Sequence, residues 1–201
     1  MGLDIYFYKT QTSREVSELT NEDINELYKE RTERKMTAEA KTARKEAISV
    51  ATSERTDKIE AVLAVVRPYI KYEFMAQLIS QAETTEELCH RIDEVFESSV
   101  SWDDMYYRKV NFLYGYFSER LTDEQCIVTK EDIEDIIRRC ENVLDDHSKA
   151  EELLPTRSGF FFGSTEYDEY YFGDVAQCLA ACQDFLSDWT DDTAAWVWFS
   201  W

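Results

Sequence analysis

The chain has 201 residues, with 42 Asp and Glu against 22 Lys and Arg, and a formal net charge of -20. At 44% hydrophobic and 14% aromatic residues it can bury a sizeable core, which disfavours disorder as a general description. The acidic balance disfavours direct binding to duplex DNA or to an anionic membrane, both of which need clustered cations, and no apolar run approaches the ~18 residues of a bilayer span.

The start, Met1-Gly2-Leu3-Asp4, lacks the basic and apolar regions of a signal peptide. From Leu3 to Lys9 the residues alternate, so a strand is expected with Leu3, Ile5 and Phe7 on one face. Between Gly2 and Pro68 there is neither glycine nor proline, which favours long helices. The first begins at Leu19-Thr20…Asp23-Ile24, where a polar cap, an acid three residues on and flanking apolar residues form a capping box with a staple. Its apolar stripe (Ile24, Leu27, Tyr28) soon gives way to Arg31, Arg34 and Lys35 on the same face. Lys29 to Glu46 holds seven basic and four acidic side chains. A helix polar all round has little to pack with, so residues 29–58 are expected to form an exposed, charged arm.

Ile59 to Ala82 is rich in apolar residues and interrupted by Pro68, as in a kinked helix or two helices meeting. Thr84 with Glu87 marks another helix start, and Val100-Ser101…Asp104-Met105 a further one. That last start opens an expected helix over about 102–120, aromatic on several sides through Trp102, Tyr106, Tyr107, Phe112, Tyr114 and Phe117. After Thr129…Asp132 the residues Ile133, Ile136, Ile137, Cys140, Val143 and Leu144 fall on one helical stripe. Phe160-Phe161-Phe162, between Gly159 and Gly163, predicts a short strand. A helix over 168–189 follows, carrying Phe172, Val175, Leu179, Cys182, Phe185, Leu186 and Trp189 in register. The closing segment Ala195–Trp201 alternates again, with Val197, Phe199 and Trp201 together. Pairing the two terminal strands would tie down both chain ends.

The expected fold is therefore α+β and mainly helical, with a small sheet in which the N- and C-terminal strands pair, plus a helical extension carrying the exposed charged helix. Residues 1–18 and 101–201 would make the body, and 19–100 the helical region.

Chemistry-bearing residues are sparse. Five cysteines without a framework spacing suit a reducing compartment. Cys178 and Cys182, four apart on an apolar helix face, read as buried free thiols. Neither Cys89-His90 nor His147 completes a finger spacing, so no structural metal or cofactor is expected. No nucleophile–base pattern is present, and Gly159…Gly163-Ser164 lacks the lysine of a phosphate loop. The reading is of a protein that is not an enzyme.

The charge is unevenly placed. Residues 1–100 hold 14 basic and 20 acidic side chains, whereas 101–201 hold 8 and 22. After Arg157 there is no Lys or Arg, yet 158–201 carry eight carboxylates and 13 of the 28 aromatics. Carboxylates interleaved with aromatics suit the imitation of a nucleic-acid backbone. The candidate partner-binding residues are Glu166, Asp168, Glu169, Tyr170, Asp174, Asp188, Asp191 and Asp192. On the arm, Arg31, Arg34, Lys35, Lys41, Arg44 and Lys45 are the candidate contacts.

The opening Met-Gly-Leu-Asp-Ile-Tyr-Phe-Tyr-Lys resembles that of a family of proteins encoded by phages and prophages. So does the order of elements over roughly 105–201, including Leu153-Leu154-Pro155-Thr156 and Gly159-Phe-Phe-Phe-Gly-Ser164 before Tyr167-Asp-Glu. Residues 10–100 lie outside the resemblance. It implies a source in a phage or mobile element and a site of action in the bacterial cytoplasm, and it carries no reaction. Together with the charge it leads to the expected function. This is an inhibitor of a bacterial defence system, such as a CRISPR nuclease, occupying a nucleic-acid-binding surface of a host protein. Two alternatives stay open. One is an enzyme using carboxylates and a divalent metal at Glu166, Asp168, Glu169 and Asp174 on nucleotides or phosphodiesters. The other is a phage assembly or structural accessory protein that associates through the arm.

Overall fold

The structure, a computed structural model, describes residues 2–70, 73–99 and 104–201. In chain order the elements are β1 (Asp4–Gln11), α1 (Ile24–Lys35), α2 (Ala38–Ala51), α3 (Lys58–Val66), α4 (Glu73–Ser80) and α5 (Thr85–Ser99). There follow β2 (Met105–Arg108), α6 (Asn111–Phe117), β3 (Gln125–Val128), α7 (Lys130–Asp145), α8 (Ala150–Leu153), α9 (Glu169–Leu186) and β4 (Thr193–Ser200). The fold is α+β, mainly helical, with one four-stranded sheet in the order β2-β1-β4-β3. Among the described residues no helix is long and apolar enough to cross a membrane. The chain divides into two compact units, residues 1–28 with 103–201, and residues 29–102.

In the first unit the terminal strands lie side by side at the centre of the sheet. β1 and β4 are antiparallel over eight residue pairs, from Asp4 opposite Ser200 to Gln11 opposite Thr193. The alternation read from the sequence sets the inner face: Leu3, Ile5 and Phe7 meet Val197 and Phe199, and all five are fully buried. Met105 and Tyr107 of β2 and Cys126 and Val128 of β3 extend that face to both edges. Ile133, Ile136, Cys140 and Val143 of α7, with Val175, Cys178, Cys182 and Phe185 of α9, close over it. On the other side of the sheet Tyr8 stacks on Trp196 at 5.3 Å, beneath Ile24 and Leu27 at the start of α1.

Both capping boxes assemble as the local pattern dictates. The Thr129 amide donates to Asp132 Oδ2 at 2.8 Å while the Asp132 amide donates to Thr129 Oγ1 at 3.1 Å. Thr20 and Asp23 do the same ahead of α1, through a single 3-10 turn at Asn21–Asp23. The Thr84 hydroxyl accepts the Glu87 amide at 3.1 Å at the start of α5.

Three expectations are corrected. The aromatic run is not one helix over 102–120: Met105–Arg108 is an edge strand on β1, and α6 begins only at Asn111. Lys109, at a φ of 63°, turns the chain between them. The cap expected at Ser101 and the ring of Trp102 lie outside the described residues. Phe160–Phe162 is a turn rather than a strand, closed by the Phe162 amide donating to the Gly159 carbonyl at 3.2 Å. A Cβ at Gly159 would sit 2.6 Å from the Phe162 ring, so the turn needs glycine there. Finally, the charged arm is not one weakly packed helix. It is broken between α1 and α2, where Thr37 caps the new helix by accepting the Ala40 amide at 3.2 Å.

That break belongs to the second unit, which is all helical. The charged side of α2 faces outward, but Ala40, Ala47 and Ala51 on its other side are buried with Val62 and Val66 of α3 and Leu88, Ile92, Val95 and Phe96 of α5. Alanines let the helices approach closely without a large apolar side chain to betray the face. Arg44 pairs with Glu33 and, through Nε at 2.8 Å, with Asp93, tying α2 to α1 and α5. Burial works against its charge, but the two carboxylates outweigh that and raise its pKa. Around Pro68 two helices meet: α3 ends at Val66 and a 3-10 turn, Arg67–Tyr69, leads away.

Candidate functional site

The segment from Arg157 to Asp174 is organised by a residue that composition does not single out. Asn111, 4% exposed at the first turn of α6, donates through Nδ2 to the carbonyls of Phe162 at 3.2 Å and Ser164 at 2.9 Å. Its Oδ1 accepts the Arg157 amide at 3.1 Å, so one side chain satisfies three backbone groups of the loop. Thr156 Oγ1 donates to the Thr165 carbonyl at 3.0 Å, and Tyr171 Oη donates to the Leu154 carbonyl at 2.8 Å. The loop is thereby fixed to the body, and it delivers the chain to the start of α9.

There Asp168 is the N-cap. Its Oδ1 accepts the amides of Tyr170 and Tyr171, each at 3.0 Å. Glu166, Asp168 and Glu169 are exposed around it, and Tyr170 projects between them at 75% exposure. Asp174, one turn further, is half-buried; burial, and then the charge of Asp168, push its carboxyl above the usual carboxylate range. Glu166, Asp168, Tyr170 and Asp174 line a depression of about 220 Å³ together with Lys109, Asn111 and Ser164. The Lys109 stem lies against Gly163, whose φ of 92° favours glycine and where an added Cβ would sit a tight 3.2 Å from Lys109 Cβ. The depression is therefore lined by three carboxylates, one ammonium and one exposed ring. That arrangement suits the electrostatic capture of cationic side chains with a stacking contact beside them.

The eight candidate residues do not form one surface. Asp188, Asp191 and Asp192 lie beyond the far end of α9, whose 18 residues span ~27 Å. That separation is about three Debye lengths at physiological salt, so the two groups act on different parts of any partner. Asp188 is also occupied: it pairs with Lys9, which holds its carboxyl below the usual range. Lys9 Nζ donates as well to the Phe185 carbonyl at 2.7 Å. Asp191 instead lines a separate cavity of about 350 Å³, of mixed polar and apolar lining, beside Leu19, Ile127 and Trp189.

On the arm, Arg31 is buried at 1% exposure and Arg44 is held in its two ion pairs, so neither presents a free cation at the surface. Arg34, Lys35 and Lys45 are exposed, and Lys41 is half-buried. Among the described residues no group of three or more His, Cys, Asp or Glu is arranged to hold a metal ion. The thiols of Cys178 and Cys182 are buried 3.9 Å apart in the core, and neither is in a disulfide.

Asn111 and Lys109 escape sequence reasoning because their partners lie about fifty residues away. The one signal is a polar Asn placed inside an otherwise aromatic run. Comparison of the chain with protein-family models, with curated proteins and with solved structures found no match.

Proposed function

We propose that the chain is a phage- or prophage-encoded binding protein that inhibits a bacterial defence system by occupying a nucleic-acid-binding surface of a host protein. The observation that carries this reading is the rim at the start of α9, where exposed Tyr170 stands among the exposed carboxylates of Glu166, Asp168 and Glu169. Carboxylates there take the place of phosphates, and the tyrosine takes the place of a base against the partner. The absence of any Lys or Arg after position 157 leaves the rim's neighbouring sequence purely anionic. Asp188, Asp191 and Asp192 fall outside this contact because α9 separates them from it.

Immobilised protein and a variant carrying E166Q, D168N, E169Q and D174N test the reading by capture from a bacterial lysate. Asn at 168 keeps the helix cap, since Asn caps as well as Asp. The expected result is a nucleic-acid-binding protein retained by the native chain and lost from the variant. Equal retention by both would overturn the role of the rim.

A further inference from the structure

A third cavity, of about 450 Å³, lies in the same unit between α6, α7 and the Leu153–Arg157 segment. Its lining concentrates the scarce cations of the acidic half: Arg120, Arg139 and Arg157 are three of only eight basic residues in 101–201. Arg120 grips Asp132 through Nη1 at 3.0 Å and Nη2 at 2.9 Å, leaving Nε over. Arg139 spends Nε on Asp135 at 2.7 Å and Nη1 on the Leu153 carbonyl at 2.9 Å, leaving Nη2. The first two arginines are thus fixed in place by their own carboxylates, each with a donor to spare.

Arg157 is different. Its backbone amide is held by Asn111, but its guanidinium makes no hydrogen bond or ion pair with any described residue. It reaches the cavity by lying across α6 at Gly115, where a Cβ would come within 2.9 Å of Arg157 Cγ and 3.0 Å of its Nε. A glycine in mid-helix is unfavourable by itself, and here it makes room for that one side chain. Two carboxylates on the same lining, Glu119 and Glu152, are also without partners among the described residues.

We infer that this cavity binds a phosphate monoester of a small polyhydroxylated molecule, of the sugar phosphate or nucleoside monophosphate class. The unengaged guanidinium fork of Arg157, with the remaining N–H groups of Arg120 and Arg139 on the same lining, matches the oxygens of a phosphate dianion. The spare carboxylates accept hydrogen bonds from hydroxyl groups and repel additional phosphates, which selects a monoester over a di- or triphosphate. Tyr116, its hydroxyl engaged with Asp135 at 3.1 Å, offers its ring as an apolar wall. The volume falls within the range of small-molecule sites.

Calorimetric titration of the full chain with ribose 5-phosphate, AMP and inorganic phosphate tests the assignment. Saturable binding of ribose 5-phosphate or AMP is expected, weakened at least about tenfold in R157A and in G115A. R157A breaks no ion pair and G115A introduces a better helix former, so thermal unfolding should report both as folded. AMP binding more tightly than ribose 5-phosphate would place the ligand among nucleotides, and the reverse among sugar phosphates. No saturable binding of either ester, undiminished binding in R157A, or inorganic phosphate binding as tightly as the esters would each overturn it.

Discussion

Asp174 shows what a single half-buried carboxylate contributes. Burial and the neighbouring Asp168 raise its pKa in the folded chain, so folding favours its protonated form. Its contribution is therefore favourable below the ordinary carboxylate range and is lost as pH rises through that range to the raised value. Asp174→Asn removes the charge and keeps the shape. The variant should unfold at a higher temperature than the native chain near pH 7, and the difference should shrink to nothing below about pH 4. A lower melting temperature for the variant near pH 7 would mean that the charge is stabilised by a cation, with Lys109 on the same depression as the candidate. Glu97, half-buried in α5 and raised by burial and then by Asp93, is a second group of the same sign in the other unit. Asn111 makes the complementary point, that one neutral amide with three satisfied bonds can position a whole loop.

Elements follow from sequence where their determinants are local. The Thr129–Asp132 capping box and the Ile133–Val143 stripe are complete within about four turns of chain, and α7 forms as they specify. The same holds for the alternation of β1 and β4, whose inward residues need only a partner of matching period. Where the determinant is a distant contact or a special backbone angle, the pattern misleads. Tyr106 and Tyr107 look like a continuing aromatic helix, but Tyr107 is a core residue of a four-residue edge strand, and the turn at Lys109 leaves no mark in composition. Three phenylalanines resemble a strand, yet Gly159 lets Phe162 fold back and leaves Phe160 94% exposed. In α2 the misleading feature is alanine, too small to register as an apolar face while packing as one. Ala47→Leu distinguishes a packed helix from a free arm. Ala47 is fully buried, so overpacking should cost ~1–3 kcal/mol in denaturant unfolding, whereas an exposed site would be neutral.

Across the whole molecule, a net charge of -20 is distributed into features with different roles. Part of it sits in internal clasps such as Arg44 with Glu33 and Asp93, and part in helix caps such as Asp132 and Asp168. The carboxylates of the candidate site were legible as residues, because their density after Arg157 is a property of the sequence. Their division into two ends of α9 was not, since it depends on helix length and on Lys9 reaching Asp188 from the first strand. The rim around Tyr170 is the part to which recognition is assigned by the proposal. The most direct measurement of its proposed role is displacement of the partner, captured on immobilised protein, by an oligonucleotide at constant ionic strength. Holding the salt fixed separates competition for one surface from simple screening. The account predicts that the oligonucleotide releases the partner in a concentration-dependent way, and that an equally charged non-nucleic polyanion such as polyglutamate releases it less. A complex that binds oligonucleotide while keeping its grip on the immobilised chain would contradict it.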